Sequence, residues 1–202
     1  KLIGNSSFVE CSSLTKISIP SSVTEIRSYA FCNCISLEEV NIFSSAEISD
    51  NFSTVAENSK KITISSSIKT IGRYSFRSCE KLQQIIIPSS VKDILKCSFW
   101  QCYSLLSITI PSSVTFIEDY AFSECNSLKE VTIRSSDVKF GYKIFNLCSS
   151  LKQVIAPHSL NLDDLDLSSS VIVKDIDCSD ILEKKDEYNN YSKMIIKLKS
   201  TY

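Results

Sequence analysis

Apolar and polar positions recur in register along this chain with a period of 23 residues. The clearest marker is a Phe followed three residues later by Cys, and by Leu after three more. This F-x-x-C-x-x-L triplet occurs six times, with Phe8, Phe31, Phe76, Phe99, Phe122 and Phe145. The one longer step, from Phe31 to Phe76, holds a degenerate third copy around residues 43–64. A unit this short cannot bury its apolar side alone, so the period predicts the stacked coils of a solenoid.

Each unit follows the pattern L-x-x-I-x-I-P-S-S-V-x-x-I-x-x-x-A-F-x-x-C, as in residues 105–125. Its I-x-I pair alternates as a strand buried on one face does. Because proline has no backbone N–H to donate, Pro20, Pro88 and Pro111 should end that strand. The S-S pair should turn the chain, V-x-x-I should return apolar side chains to the interior, and A-F-x-x-C should form a short helical or 3₁₀ turn. The pattern predicts seven parallel strands, at Ile17, Val40, Ile62, Ile85, Ile108, Val131 and Val154.

The repeat pattern weakens toward the carboxyl end of the chain. Regular units extend over residues 1–160, and a decayed eighth unit follows around Leu165 to Ile176. Residues 178–202 are richer in charge. Because the last unit of a solenoid needs a polar outer face, we interpret residues 161–202 as a decayed repeat and a C-terminal cap.

Composition and motifs argue against several classes of function. The chain carries 22 Lys and Arg against 23 Asp and Glu, and a net charge of −1 does not suit a nucleic-acid partner. No apolar run approaches the ~20 residues of a membrane-spanning helix, so we expect no membrane insertion by this segment. His158 is the single histidine, and no phosphate-binding loop or nucleophile motif is present, so we expect neither enzyme activity nor a cofactor. Without a C-x-x-C pair, we expect no metal site.

The nine cysteines divide into two groups. Six occupy the same position of the repeat, where parallel stacking points their Cβ atoms in one direction, and we expect buried, reduced thiols there. Disulfides remain an alternative. Cys32, Cys97 and Cys178 lie outside this ladder, and they are the better candidates for exposure or pairing.

The unit pattern resembles the BspA-like (treponemal-type) leucine-rich repeats over roughly residues 1–160. The resemblance implies a mostly β, curved solenoid with a parallel sheet on the concave face and short turns or 3₁₀ segments elsewhere. It also implies a cell-surface or secreted protein of bacteria or parasitic protists that attaches to host or extracellular proteins. This chain departs from the family pattern in the third unit, which loses its Phe, Cys and Leu, and near His158, where the S-S-V turn is lost.

Two columns of strand residues should face the concave side of such a solenoid. They are Lys16, Glu39, Lys61, Gln84, Ser107, Glu130 and Gln153, and Ser18, Asn41, Thr63, Ile86, Thr109, Thr132 and Ile155. The columns are mostly polar, with mixed charge, and hold no cluster of titratable groups suited to acid–base chemistry. They indicate either a solvated face or a protein-binding face.

The unit that contains Trp100 breaks this polar rule. Apolar side chains replace mostly polar ones at five positions, which we expect to be exposed: Leu95, Trp100, Tyr103, Leu106 and Phe116. Trp and Tyr are enriched at binding hot spots. We therefore hypothesise a partner-binding patch formed by Trp100, Tyr103, Leu106 and Ile86, with Leu95 and Phe116 on a different face.

The sequence thus predicts a non-enzymatic protein-binding module, adhesin-like at a cell surface, whose protein partner it does not identify. The alternative is an intracellular leucine-rich-repeat scaffold, so a cytoplasmic location stays open. The chain starts at Lys1 inside a repeat, without Met or a signal peptide, and we expect a fragment, a processed form or a trimmed form of the protein. The surface location therefore depends on the family resemblance alone.

Overall fold

A computed structural model describes residues 1–26, 30–31, 33–43, 58–165 and 167–176. Its strands are short and pair in parallel, and they form two rows. The first row contains β2 (Lys16–Ile19), β4 (Glu39–Ile42), β5 (Lys61–Ile64), β7 (Gln84–Ile86), β9 (Ser107–Ile110), β11 (Glu130–Ile133), β13 (Gln153–Ala156) and β14 (Ile172–Asp175). The second row contains β1 (Leu2–Ile3), β3 (Glu25–Ile26), β6 (Thr70–Ile71), β8 (Asp93–Ile94), β10 (Phe116–Ile117) and β12 (Lys139–Phe140).

The first row confirms the predicted solenoid and its seven I-x-I strands. Equivalent repeat positions pair directly, for example Val131 with Ile108 on one side and Val154 on the other. Among the described residues β7 and β9 do not pair, so the row consists of two four-stranded sheets. The prolines lie just beyond the strands, as Pro111 does after β9.

The second row was not predicted as a sheet. The V-x-x-I segment returns apolar side chains to the core as expected, but its last two residues also pair with the next coil. Ile94 pairs with Ile71 and Ile117, and Ile117 pairs with Phe140. The preceding serine links coils as well, since Ser113 Oγ donates to Val91 O at 2.7 Å. The coils that carry β6, β8, β10 and β12 are therefore hydrogen-bonded to one another along this second side as well.

The A-F-x-x-C segments, which we call Phe turns, form the third side. The expected helical or 3₁₀ turn is replaced by successive tight turns: Cys79 N–H donates to Phe76 O at 3.3 Å, and Leu82 N–H to Cys79 O at 3.0 Å. A single 3₁₀ segment, Asp163–Leu165, occurs in the described chain. Alternate N–H groups of the Phe76, Phe99 and Phe122 turns donate to the next Phe turn, as Phe76 N–H does to Ser98 O at 2.7 Å. Local turns use the remaining amides, so a continuous helix does not form.

The core is a column of stacked phenylalanines beside a column of thiols. Ring centroids are 5.1 Å apart from Phe76 to Phe99, 5.0 Å from Phe99 to Phe122 and 5.6 Å from Phe122 to Phe145. Cys125 Sγ donates to Phe99 O at 3.3 Å. The shared repeat position thus places ring and thiol against the preceding coil.

The structure confirms most of the buried-thiol prediction. Cys34, Cys79, Cys102 and Cys125 are buried, whereas Cys11 and Cys148 are partly buried. The expectation for Cys97 was wrong: this free thiol is only 7% exposed. Cys97 lies two residues before Phe99, with its N–H bonded to Asp119 O at 3.1 Å, so its backbone belongs to the coil-to-coil contact. Cys32 and Cys178 lie outside the described residues.

The last described coil is shortened. Gln153 pairs with Glu130, 23 residues earlier, but with Ile172 only 19 residues later. Between Ala156 and Ile172 the described chain forms neither a second-row strand nor a Phe turn. The boundary proposed at residue 160 stays a prediction, and most of the degenerate third unit, with residues 178–202 of the proposed cap, lies outside the described residues.

Candidate partner-binding surface

The four residues of the hypothesised patch lie on neighbouring coils. Trp100 and Tyr103 belong to the Phe99 turn, Leu106 directly precedes β9, and Ile86 ends β7. Leu106 is 42% exposed, whereas the other three side chains are only partly exposed. Leu106 N–H is 3.4 Å from Gln83 O, so the leucine lies beside a residue three positions before Ile86. The four residues thus lie on two adjacent coils, and the patch stays a prediction; of the residues expected to be exposed here, Leu106 alone is fully exposed.

Trp100 is held by side chains of the coils on both sides. Its indole Nε1–H donates to Glu124 Oε1 at 3.0 Å, and Arg77 Cζ lies 4.5 Å from the ring centroid. The other oxygen of the same carboxylate, Oε2, accepts from Gln101 Nε2 at 3.2 Å. A guanidinium over an indole face is a favourable cation–π pair. The ring is therefore fixed in orientation before any partner arrives.

Tyr103 lies in an acidic neighbourhood. Burial raises the pKa of its phenol above the usual 10.0, and the negative charges of Glu124 and Glu80 raise it further. The phenol consequently stays protonated at neutral pH and can donate a hydrogen bond. Sequence reasoning identified the two aromatic side chains but not their carboxylate and guanidinium neighbours, because those come from adjacent coils.

The remaining apolar side chains of this unit lie elsewhere. Phe116 is part of β10 in the second row, and Leu95 follows β8 with its N–H bonded to Ile71 O at 2.9 Å. Both are partly exposed, so the expectation of full exposure was wrong for them too. Neither residue shares the side of the solenoid that carries Leu106.

The polar columns of the first row differ from each other. In the first column, Lys16 Nζ and Glu39 Oε2 are 3.1 Å apart, and Gln153 Nε2 donates to Glu130 Oε2 at 3.0 Å. In the second column, Asn41, Thr63 and Thr132 are 9% exposed or less. The interpretation of this column as a fully solvated face was therefore wrong. Short side chains in a ladder spaced ~4.8 Å apart cover one another.

Chemistry at the thiols is suppressed. Burial raises the pKa of the Cys102 and Cys125 thiols well above the usual 9.0. The neighbouring Cys125 thiol, and then burial, raise the pKa of Cys148. Protonated thiols are poor nucleophiles and poor metal ligands. Within the described chain no three His, Cys, Asp or Glu residues are grouped to hold a metal ion, and no helix is long and apolar enough to cross a membrane.

Two rows of short parallel strands, with stacked phenylalanines between them, define a leucine-rich-repeat solenoid. The model of the BspA type leucine rich repeat region matches residues 1–81 and 46–170 in six copies. The chain therefore belongs to this family of protein-binding repeats. No curated protein matches it.

Solved structures agree with this assignment. The T. pallidum leucine-rich repeat protein TpLRR is 25% identical with a TM-score of 0.59, and the match covers 80% of this chain and 69% of that one. The pneumococcal vaccine antigen PcpA is 17% identical with a TM-score of 0.53, over 84% of this chain and 38% of PcpA. A Eubacterium ventriosum leucine-rich repeat protein is 20% identical with a TM-score of 0.51, over 81% of this chain and 49% of that protein. The last two share the fold, and this chain spans less than half of their length.

Proposed function

We propose that this chain is a non-enzymatic protein-binding module that acts at a cell surface as an adhesin-like protein. Membership of the BspA-type family supports protein binding. The stacked coils present side chains at fixed spacing, and this suits recognition of an extended surface on another protein. The near-neutral net charge supports a protein partner over nucleic acid.

The observation that carries this proposal is the pre-oriented Trp100. Its ring is fixed by Glu124 and Arg77, while Leu106 nearby exposes 42% of its surface. An aromatic side chain that is already ordered loses little conformational entropy when a partner binds. We propose that Trp100, Tyr103, Leu106 and Ile86 contact the partner, with Trp100 and Tyr103 as the energetic centre.

Binding assays with the longest available native protein and purified host extracellular proteins test the patch. Trp100→Ala and Tyr103→Ala should each weaken the interaction about tenfold or more, as expected for hot-spot residues. Phe116→Ala is the matched control, because it removes a partly exposed aromatic side chain from the second row. Equal affinities for all three variants and the unaltered protein would show that the patch is not the binding site.

The intracellular scaffold is the second candidate, and one observation favours it: six described cysteines are free thiols, namely Cys11, Cys79, Cys97, Cys102, Cys125 and Cys148. Reduced thiols are usual in the cytosol. Proximity labelling in intact and permeabilised cells of the source organism separates the two proposals. Labelling of intact cells supports the surface protein, whereas labelling only after permeabilisation supports the scaffold.

A further inference from the structure

A cavity of about 330 Å³ lies between the Phe145 turn and residues 165 and 167–171. Apolar side chains line it from both sides, including Phe145, Leu151, Leu165 and Val171. The cavity follows from the shortened last coil, whose described residues form no Phe turn that covers the Phe145 turn. Its volume is at the small end of the range for ligand pockets, so it suits one side chain rather than a large ligand.

The Phe145 turn also offers unused hydrogen-bond donors. In each of the three preceding Phe turns, three alternate N–H groups donate to carbonyls of the next turn; from the Phe122 turn the distances are 3.0, 2.9 and 2.7 Å. One coil later, the N–H groups at the repeat positions of Phe122 and Glu124 are those of Phe145 and Leu147. Neither of these two donates to any residue of the described chain. Both residues line the cavity.

The aromatic column ends at the same place. Phe145 stacks on Phe122 with 5.6 Å between centroids. Phe145 is 6% exposed and Leu165 is 2% exposed; both border the cavity, and no further aromatic ring of the described chain borders it. An aromatic ring placed there would continue a stack that repeats through the three preceding turns.

We propose that this cavity is a docking site for an extended peptide segment of a protein partner. Two backbone carbonyls of the segment accept from Phe145 N–H and Leu147 N–H, and an aromatic side chain between them enters the cavity against Phe145. The complementarity is electrostatic as well as steric, because the Phe145 turn presents donors and the occupant must supply acceptors. The mode resembles strand addition at an open sheet edge. This site deepens the proposed protein-binding function and is separate from the Trp100 patch.

The chain contains its own probe for this site. Residues 117–125 provide the carbonyls and the Phe122 ring that cover the Phe99 turn. A synthetic peptide of this sequence, with Cys125→Ser to prevent oxidation, should bind the 202-residue protein. The amide resonances of Phe145 and Leu147 should shift in ¹H–¹⁵N spectra, and their hydrogen exchange should slow about tenfold or more. A control peptide with Phe122→Ala should bind about tenfold to a hundredfold more weakly.

Paired variants of the protein test the cavity. Leu165→Phe places a ring inside it and should weaken peptide binding at least about tenfold. Leu162→Phe makes the same exchange at a partly buried residue outside the cavity lining, and should bind the peptide normally. Trp100→Ala should also leave this binding unchanged, so failure of the patch and failure of this site are distinguishable.

Four outcomes would overturn the proposal. One is no peptide binding at millimolar concentration, and another is binding that leaves the Phe145 and Leu147 amides unchanged. The third is a shift of these amides by inorganic phosphate but not by the peptide, which would indicate an anion site instead. Equal binding by Leu165→Phe and Leu162→Phe would also exclude the cavity.

Discussion

Individual residues of the Phe turns adopt backbone conformations that usually favour glycine. Eleven of the described non-glycine residues have φ between 51° and 66°, and no described glycine has positive φ. They lie two residues before or after a repeat Phe, as Tyr74 and Ser78 do around Phe76. A left-handed residue with a Cβ costs roughly 1 kcal/mol or more. The coil-to-coil hydrogen bonds of the same turns offset this cost.

Leu147 is the residue where this cost is easiest to remove. Its φ is 59° and its side chain is 64% exposed. Asn33 holds the equivalent position with φ 57°, and Asn tolerates the left-handed region better than Leu. Leu147→Asn should raise the free energy of unfolding by about 0.5–1 kcal/mol in urea denaturation. Leu106→Asn, at an exposed leucine without positive φ, should bring no such gain; an equal gain at both sites would contradict the explanation.

Ser98 presents the opposite case, a buried group without a partner. Its side chain is 0% exposed, and its Oγ has no hydrogen-bond partner. Ala30 and Ala121 occupy the same repeat position. Ser98→Ala should therefore stabilise the protein by about 1 kcal/mol, because an unsatisfied buried hydroxyl is removed.

Ser123 is the control for this substitution in thermal and urea unfolding. It is 2% exposed, and its Oγ donates to Asn146 O at 3.1 Å. Ser123→Ala should destabilise by about 1 kcal/mol, since the buried hydrogen bond to Asn146 O is lost. The same sign for both variants would refute the assignment of Ser98 as unsatisfied.

At the scale of elements, strands were predicted best where the alternation of apolar and polar residues was long enough to recognise. The I-x-I pairs of β9 and β11 show it, and both formed. The strand Phe116–Ile117 has only two residues, so it carries no periodic signal and the second row was missed. Cys97 was misjudged because its position reads as polar in the template, while hydrogen bonding between turns buries it.

Close packing between second-row elements requires a glycine after β12. A Cβ at Gly141 would lie 2.6 Å from the backbone nitrogen of Asp119 and 2.7 Å from its carboxylate oxygen Oδ1. Backbone cannot give way easily, so Gly141→Ala should destabilise by about 1–3 kcal/mol. Gly4→Ala, where a Cβ would meet only Ser7 Oγ at 3.4 Å, should cost much less. Similar unfolding midpoints for the two variants would contradict this account.

The first row contributes a pH-dependent element. Burial would raise the pKa of Glu39, but hydrogen bonds from Lys16 and Asn41 and the charges of Lys16 and Lys61 lower it below the usual 4.5. A carboxylate with a depressed folded pKa stabilises the protein above its unfolded pKa, and this stability is lost as pH falls through the folded value. When the pH is lowered from neutral to about 3, the free energy of unfolding should therefore fall less for the Glu39→Gln variant than for the unaltered protein, as measured by urea denaturation at each pH. Parallel pH profiles would show that Glu39 makes no such contribution.

At the scale of the molecule, the thiol column reports on the integrity of the whole stack. Because burial raises the pKa of Cys102 and Cys125, alkylation at pH 8 should be about a hundredfold slower in the native protein than after denaturation. The folded thiols stay protonated, so stability should also decline as pH rises above the unfolded value near 9. Mass spectrometry of alkylated peptides measures both sites, and native labelling at the denatured rate would disprove their burial.

The candidate sites were predictable in unequal measure. Trp100 and Tyr103 stand out because each breaks a repeat pattern, but Glu124 and Arg77 become their neighbours only when coils stack. The cavity has no sequence signal of its own, because it arises from residues that the shortened coil does not contain. A residue that departs from the repeat pattern can be seen in the sequence. The space left by a missing turn can be recognised only when the pairing register of β13 and β14 is known.

The uniform direction of hydrogen bonds in the Phe turns gives the solenoid an electrical polarity. In a parallel strand, alternate peptide groups point to opposite neighbours, so their dipoles largely cancel. In the Phe turns, every coil-to-coil N–H points toward the carboxyl end and every accepting C=O points back. The peptide dipoles therefore add along one side of the molecule, as they do along an α-helix, but with the positive pole at the carboxyl end. The two ends of the stack are electrostatically different surfaces, and increasing salt should weaken the binding of negatively charged groups at the Phe145 end.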